Sequence, residues 1–354
     1  MASARDLFIR ISDAFWSESI WLPPNTTWKI YEDRAGGINY AQFNDIYYSL
    51  LTAIVILCIR ITFERLIFRP LGQALGISDR PRVKLEKNEV LEKAFRINRR
   101  PSPSTIQALS KRTDLSTKAV ESWFNRRQAA VKPTTLARFT ESSWKCTFYT
   151  FSFFFGVWAL WDKPWTWDSM HCFIDYPHHS VSSEIWWYYN IELGFYISLI
   201  ISQFFDVKYS DFWQMFIHHV VTVLLLCFSW ACNLHRIGTL VLIIHDFADI
   251  PLEGTKITRY MKTPRLANVV FSVFLICWIY SRLGLLPTRV IAYSTYYALS
   301  ILPMFPAYYI FNGLLCTLQV LHIVWTWLIL KIAHNAIFVD GVKDLRESDD
   351  EDDD

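Results

Sequence analysis

Long stretches without any Asp, Glu, Lys or Arg limit the fold of this chain more than any other feature. An α-helix needs about 20 mainly apolar residues to cross the roughly 30 Å hydrocarbon core of a membrane. Five stretches carry none of the four charged residue types: 46–59, 146–161, 212–235, 266–281 and 290–330. Two more are nearly free of them, since 185–205 contains only Glu192 and 237–251 contains only two aspartates. The sequence therefore predicts an all-α polytopic membrane protein with about seven transmembrane helices, one an N-terminal anchor and six a bundle.

The overall composition agrees with this class and excludes several others. Hydrophobic residues make up 52% of the 354 positions and charged residues only 19%, which excludes an intrinsically disordered chain. The chain has only 11 Gly, too few for a collagen-like fibre. Its 7 Cys are spread over a long chain, unlike the dense cysteines of a small disulfide-stapled domain.

The positive charges predict the orientation of the chain in the membrane. Residues 60–145 contain 19 Lys and Arg against 8 Asp and Glu, and positive loops stay in the cytosol. Asn25, Thr26 and Thr27 form an N-glycosylation sequon before the first span, so we expect residues 1–45 to be lumenal and Asn25 to be glycosylated. Seven spans from that start place the C-terminus in the cytosol.

Residues 79–132, after a first transmembrane helix over 46–66, predict a small soluble unit of two or three helices. The later helices are expected to start near Ser104 and Ser116. Residues 120–127 resemble the third helix of a homeodomain. The expected core of the unit consists of Ile106, Leu109, Leu115, Val120, Trp123 and Phe124.

One residue of this unit argues against sequence-specific DNA binding. Homeodomains place an adenine-reading Asn three residues after the Trp of the third helix. Here that position is Arg126, and Asn125 lies one residue earlier, about 100° away around a helix. We therefore expect no sequence-specific DNA binding, and instead contact with anionic lipid head groups or docking within the protein.

Polar residues form a stripe along the fourth predicted span, over residues 212–235. On one continuous helix, the stripe would fall within an arc of about 60°. Polar groups inside a membrane are energetically unfavourable, and they mark functional sites by default. These positions are therefore candidate substrate-binding or catalytic residues. The stripe consists of His218, Thr222, Ser229, Asn233 and Arg236.

Acidic residues follow in the next span. Asp246, Asp249 and Glu253 share one face of a helix, at offsets of 3 and 4 residues. The short turn between the two spans makes them antiparallel neighbours, so His218 and His219 should meet the aspartates at one depth, reached from the cytosol. A carboxylate beside an imidazole holds the ring and favours its use as a general base or an acyl acceptor.

Two other interpretations of these residues remain open. The polar groups could serve only as hydrogen bonds between helices. A metal site is the second, although the histidine-box membrane oxygenases need many His at repeated short spacings, whereas this chain has nine His with adjacent pairs only at 178/179 and 218/219. We therefore expect no metal. His322 and His334 are expected to be packed or interfacial residues.

The stretch 218–256 resembles the Lag motif of ceramide synthases, within the TRAM-Lag-CLN (TLC) membrane domain. The resemblance implies an endoplasmic reticulum enzyme that N-acylates a sphingoid base with a fatty acyl-CoA, with acyl-CoA as a substrate and no cofactor. The family's paired histidines correspond to His218 and His219, and its motif aspartates to Asp246 and Asp249. The resemblance extends to residues 21–23, 63–65, 206–208, 311–313 and 345–349.

The resemblance also implies a domain plan and further partners. A catalytic TLC membrane domain is expected over 138–335 and an acidic cytosolic tail over 340–354, in which Ser348 precedes acidic residues and is a candidate phosphorylation site. A homodimer or a heterodimer with a related synthase is a further expectation, and residues 292–303 correspond to the family's acyl-length determinant. Pro251 replaces a bulkier residue of the family and would distort the fifth helix near Glu253.

Two functions of other classes compete with this one. The first is a TLC protein that binds or senses lipid without catalysis. The second is a membrane-tethered DNA-binding regulator that acts through residues 79–132. A channel or transporter is disfavoured, because the charged groups cluster at one depth instead of following a path across the membrane.

Overall fold

The structure is a computed structural model that describes residues 4–32, 37–79, 88–99, 101–131, 133–206 and 211–335. These residues form helices and connecting turns without any β-strand, so the all-α prediction is confirmed. The predicted tail 340–354, with Ser348, lies outside the described residues.

The helices follow in chain order. The N-terminal segment contains α1 (Ala4–Phe15), α2 (Glu18–Trp21) and α3 (Lys29–Glu32). The helix α4 (Asp45–Phe63) continues through a π-helical turn (Glu64–Phe68) into α5 (Arg69–Ala74). A small unit comprises α6 (Glu89–Ile97), α7 (Pro103–Thr113) and α8 (Thr117–Val131).

The remaining helices form the bundle. It begins with α9 (Thr135–Leu160), the short α10 (Pro164–Trp167) and a 3₁₀ turn (Ser169–Cys172). Three long helices follow, α11 (Ser183–Ser202), α12 (Phe212–Ala231) and α13 (His235–Tyr260). The helix α14 (Pro264–Trp278) continues as π-helix over Ile279–Ile291 and Tyr293–Tyr297 and ends in a 3₁₀ turn (Ala298–Ser300), before α15 (Ala307–Asn335).

Four helical segments of the described chain are long and apolar enough to cross a membrane, which makes this a multi-pass membrane protein. They are Asp45–Ala74, Phe212–Ala231, Pro264–Ser300 and Ala307–Asn335. The long helices α9, α11 and α13 fall short of that measure because they carry more charged, polar and aromatic side chains. Within the described residues the long helices match the seven predicted stretches, but the number of membrane crossings stays a prediction.

The helix α13 lies at the centre of the bundle, in contact with α9, α11, α12 and α14. The helices α9 and α11 pack closely, since the rings of Phe148 and Phe195 stack 3.6 Å apart. A glycine lets α4 approach α11, because a Cβ atom on Gly194 would lie 2.8 Å from the side chain of Thr52. The central position of α13 explains how its acidic residues are kept away from lipid.

The contact between α4 and the bundle is partly polar. Ser49 donates a hydrogen bond of 2.7 Å to Asn190, and the guanidinium of Arg60 binds both carboxylate oxygens of Asp206 at 2.6 and 2.9 Å. The other side of α4 exposes Leu51, among further apolar residues. One face of α4 therefore belongs to the protein, and the opposite face suits contact with lipid.

The helices α6, α7 and α8 enclose a small core of their own. Asn88 caps α6 and Ser102 caps α7, as their side chains accept hydrogen bonds from backbone N–H groups of the first turns. The start of α7 near Ser104 and that of α8 near Ser116 agree with the prediction. Leu115 does not join the core as predicted: it is exposed, in the turn that follows Asp114. The core contains Leu91, Phe95, Leu109, Val120, Trp123 and Phe124.

The N-terminal segment packs on the end of the bundle where α12 turns into α13. Trp21 is fully buried, with its ring 4.6 Å from that of Phe228, and Tyr31 donates a hydrogen bond to the carbonyl oxygen of Cys232. Asn25 lies exposed between α2 and α3, with a positive φ of 64°. We call this end of the bundle the turn end.

Candidate active site

Two neighbouring cavities open inside the bundle. The wide cavity has a volume of about 420 Å³, and both predicted histidines line it together with Asp249. Its lining includes Lys145, Lys256 and Arg259, at the end of the bundle opposite the turn end, which we call the basic end. The narrow cavity, of about 90 Å³, is lined mainly by apolar residues and extends toward the turn end.

The histidine pair lies on α12, and both side chains are buried. His219 Nδ1 lies 3.1 Å from Gln203 Oε1, while the amide nitrogen of Gln203 donates to the carbonyl oxygen of Phe212 at 2.8 Å. This second bond fixes the amide orientation, so its oxygen faces the imidazole. Because an amide oxygen only accepts, Nδ1 of His219 carries the proton and Nε2 presents a lone pair.

Three imidazoles lie close together between the two cavities, and we call them the imidazole cluster. The ring of His218 lies 6.2 Å from that of His245 and 6.1 Å from that of His322, and the latter two rings are 5.1 Å apart. His218 and His322 line the wide cavity, and His245 lines the narrow one. The imidazole cluster therefore separates a polar space from an apolar one.

His322 was predicted to be a packed or interfacial residue, and its position in this cluster is new. It lies on α15, is buried, and packs edge-on against Trp278 at 5.8 Å. No local pattern in the sequence distinguishes it from other polar residues of the last span. Only the packing of α15 against α12 brings it to the histidine pair.

Asp249 lines the wide cavity, but its partner differs from the predicted one. Its Oδ1 accepts a hydrogen bond of 2.9 Å from Nη2 of Arg282, a residue that the sequence analysis did not single out. The same nitrogen donates to the carbonyl oxygen of His245, also at 2.9 Å. Asp249 thus forms an ion pair with the π-helical continuation of α14 and no hydrogen bond with either histidine of the pair.

Asp246 is fully buried and does not line either cavity. It lies beside Glu192 of α11 and Ser152 of α9, and the Ser152 hydroxyl donates to Glu192. The offset of three residues turns Asp246 about 60° away from Asp249 on the central helix. Asp246 therefore shares no cavity with the histidine pair in this structure, and its catalytic role stays a prediction.

Two of the predicted substrate-binding residues line the narrow cavity. Thr222 lies one turn after His218 and donates a hydrogen bond of 2.8 Å to its carbonyl oxygen, and Ser229 lies two turns further along α12. Glu253 lines the wide cavity, where Lys256 donates to it at 2.6 Å. The helix α13 runs through Pro251 to Tyr260 without a break, so Glu253 keeps the face expected of a continuous helix.

Asn233 and Arg236 lie outside the site, so the prediction of one polar stripe along a single helix is wrong for them. The helix α12 ends at Ala231, and Asn233 has a left-handed φ of 57°. Asn233 donates to two backbone carbonyl oxygens of the loop before α11, and Arg236 donates to that of His171. Both residues hold the turn end together and line neither cavity, and substrate binding by them stays a prediction.

Charged residues of both signs line the basic end of the wide cavity, with Lys145, Lys256 and Arg259 beside Glu141, Asp206 and Glu253. Lys145 donates to Glu141 at 2.6 Å, and each ammonium group has three N–H donors, so a single acceptor does not use them all. Among the described residues, no group of three or more His, Cys, Asp or Glu side chains is arranged to hold a metal ion. The arrangement suits a substrate with an anionic head and a long apolar tail.

Comparison with known proteins gives two family matches and several close relatives. A model described as the TLC domain matches residues 138–331, more than half of the chain, and a homeodomain model matches residues 78–132. Human ceramide synthase 4 is 40% identical over 323 residues, covering 91% of this chain and 82% of that protein. Mouse ceramide synthase 5 is 38% identical over 323 residues (91% and 78%), and human ceramide synthase 3 is 36% identical over 352 residues (98% and 90%).

Proposed function

Because this chain belongs to the ceramide synthase family, we propose that it transfers a fatty acyl group from acyl-CoA to the amine of a sphingoid base in the endoplasmic reticulum membrane. The product is ceramide or dihydroceramide. The observation that carries the proposal is the imidazole cluster, which places His218 of the buried pair between a cavity with cationic side chains at its mouth and an apolar cavity.

The substrates follow the polarity of the cavities. The phosphate groups of acyl-CoA bind at the basic end, near Lys145, Lys256 and Arg259, because phosphate oxygens favour charged N–H donors. The acyl chain enters the narrow cavity past Thr222 and Ser229. This arrangement places the thioester carbonyl beside the histidine pair.

The chemistry requires a base or an acyl acceptor. A sphingoid amine is mostly protonated at pH 7 and must lose a proton before it attacks the thioester. His219, with Nε2 free as a lone pair, can accept that proton, while His218 faces the same cavity as the second candidate. Alternatively, one imidazole carries the acyl group before the amine takes it. We propose that no cofactor takes part, since a thioester is already activated.

The test is an assay of microsomes with labelled acyl-CoA and sphinganine. We expect His219→Ala and His218→Ala each to lower the rate by about 10²- to 10⁴-fold, the usual contribution of a general base. Asp249→Asn and Asp246→Asn should also lower the rate, because each aspartate positions neighbouring groups of the site. His171→Ala is the matched control, because this histidine lies in the loop after α10, outside both cavities.

Full activity in all four folded variants would contradict the assignment of the site. A mass increase of the protein with acyl-CoA alone would identify the acyl-imidazole route, and its absence would favour general-base catalysis. Substrate binding by the wild-type chain without any product would instead support a lipid-binding or sensing protein.

The small unit of α6–α8 has no part in the chemistry that we propose. Asn125 and Arg126 are both exposed on α8, with Arg126 at the position of the adenine-reading Asn of homeodomains. We propose contact with membrane lipids here instead of sequence-specific DNA binding. Pairing with a second copy of the chain, or with a related synthase, remains part of the proposal.

A further inference from the structure

The guanidinium of Arg282 is an unusual group for the interior of a membrane bundle. It lies on the π-helical continuation of α14 and is only 2% exposed. Its Nη2 is saturated by Asp249 and by the carbonyl oxygen of His245. Its Nη1 and Nε are buried and have no hydrogen-bond partner. The residue lines the wide cavity beside the histidine pair.

These two nitrogens carry three N–H bonds, which need an acceptor that the described protein does not supply. A buried donor without an acceptor is destabilising, and a charged one more so. Asp249 neutralises the charge, and the ring of Trp278 lies 5.3 Å from the guanidinium carbon, but neither one accepts from Nη1 or Nε. The arrangement holds buried donors ready for an anionic oxygen inside the cavity.

One atom of the proposed substrates becomes such an oxygen. The carbonyl oxygen of the thioester is neutral in the ground state and carries a full negative charge in the tetrahedral intermediate. We propose that Arg282 is a further catalytic residue, in which one of the unpartnered donors, an Nη1–H or the Nε–H, donates to this oxyanion. This inference rests on the proposed acyl transfer.

The acyl transfer passes through a tetrahedral intermediate. A nitrogen lone pair, of the imidazole or of the deprotonated amine, forms a C–N bond, and the C=O π electrons move to the oxygen beside Arg282. The C=O bond then re-forms, the C–S bond breaks, and the electron pair leaves with the CoA sulfur. The ammonium gives up two protons in all: the one released before attack leaves histidine for the solvent, and the one released after the C–N bond forms passes through histidine to that sulfur. In the acyl-imidazole route, the same oxygen becomes an oxyanion a second time when the amine attacks.

The competing explanation is that Arg282 only neutralises Asp249 and supports the fold. The two explanations differ in what the substitution changes. An oxyanion donor acts in the transition state, so its loss lowers kcat and leaves ground-state binding in place. A purely structural cation affects binding and folding together with the rate.

The experiment compares Arg282→Gln and Arg282→Lys with the wild-type enzyme in nanodiscs. The binding probe is an acyl-CoA thioether, in which a methylene group replaces the carbonyl. We expect both variants to bind the thioether within about twofold of wild type, while kcat falls about 10²- to 10³-fold in Arg282→Gln and less in Arg282→Lys. Thioether binding also shows that each variant is folded.

A second measurement isolates the oxygen itself. A dithioester acyl-CoA, with C=S in place of C=O, offers a weaker acceptor to the same donors. We expect the wild-type enzyme to prefer the oxygen substrate and Arg282→Gln to lose most of that preference. Activity of Arg282→Gln within about threefold of wild type, or loss of thioether binding in parallel with kcat, overturns the inference. An unchanged preference in Arg282→Gln overturns it as well. An inactive wild-type enzyme would instead contradict the proposed function.

Discussion

A single hydrogen bond sets the chemical state of His219. Gln203 accepts from Nδ1 and is itself oriented by its bond to the backbone of Phe212. His218 lacks such a partner at Nδ1, although both rings face the same cavity. At the scale of the residue, the pair is therefore asymmetric: His219 is held in one tautomer, and His218 is placed by ring contacts in the imidazole cluster.

His179, in the loop before α11, makes stability depend on pH. Burial lowers the pKa of His179 from 6.5 to about 4, and repulsion from Arg236 adds to this effect. The unfolded chain binds a proton below about pH 6.5, whereas the folded chain binds one only below about pH 4. The stability that the neutral imidazole contributes is present above pH 6.5 and is lost as the pH falls toward 4.

The loss from this histidine between pH 7 and pH 5 amounts to about 2 kcal/mol. We expect His179→Gln to show a correspondingly smaller decrease of unfolding free energy over this range, measured by denaturation of the detergent-solubilised protein. His178→Gln is the control, because the imidazole of this neighbouring histidine is exposed. Equal pH dependence in wild type and His179→Gln would contradict this account.

Sequence reasoning located half of the candidate site, and the reason is visible in single residues. His218, His219 and Asp249 lie on two helices joined by a short turn, so local periodicity was enough to bring them to one cavity. Arg282 and His322 come from later helices, whose rotation depends on long-range packing that no local pattern encodes. Asn233 and Arg236 were misplaced, because the end of α12 depends on the left-handed backbone of Asn233.

At the scale of elements, the 3₁₀ turn that ends the π-helical continuation of α14 lines the narrow cavity. The π-helical stretch gives way to a 3₁₀ turn at Ala298, whose small buried side chain lines that cavity. The same turn lies within residues 292–303, the segment expected to determine acyl-chain length. A larger residue here would shorten the space for the chain without touching the histidine pair.

We therefore expect Ala298→Leu to shift the products toward acyl chains that are shorter by a few methylene groups. The measurement is mass spectrometry of ceramides formed from an equimolar mixture of acyl-CoAs. Tyr296→Leu is the matched control, since this residue is 74% exposed on the same segment and does not line the cavity. An unchanged product distribution, or longer chains, would show that the acyl group does not occupy the narrow cavity.

At the scale of the whole molecule, the all-α class followed directly from the apolar stretches. Their number matched the long helices of the described chain, because a membrane span must satisfy its backbone hydrogen bonds internally and so has to be helical. The packing order could not be predicted from the sequence. The helix α13 has more acidic residues than any other long helix, and yet it lies at the centre. Its charged groups require protein partners, and only the folded bundle shows which ones.

The orientation of the molecule is testable at its N-terminal segment. Asn25 is exposed between α2 and α3, so an oligosaccharyltransferase could reach the sequon if this segment is lumenal. We expect Asn25→Gln and Thr27→Ala to remove a glycan, seen as a gel shift that endoglycosidase treatment abolishes in wild type. Thr27→Ser preserves the sequon and should keep the shift. A wild-type chain without any glycan would leave the lumenal placement without this support.

The contrast between the two cavities has a consequence for side reactions. In the proposed mechanism, an acyl tail that fills the narrow cavity keeps bulk solvent from the activated carbon at the imidazole cluster. A donor too short to fill that space leaves room for water as a competing nucleophile. The length of the acyl chain would then determine how much of a donor is hydrolysed as well as which donor is used. Short donors would be lost to hydrolysis as free fatty acid.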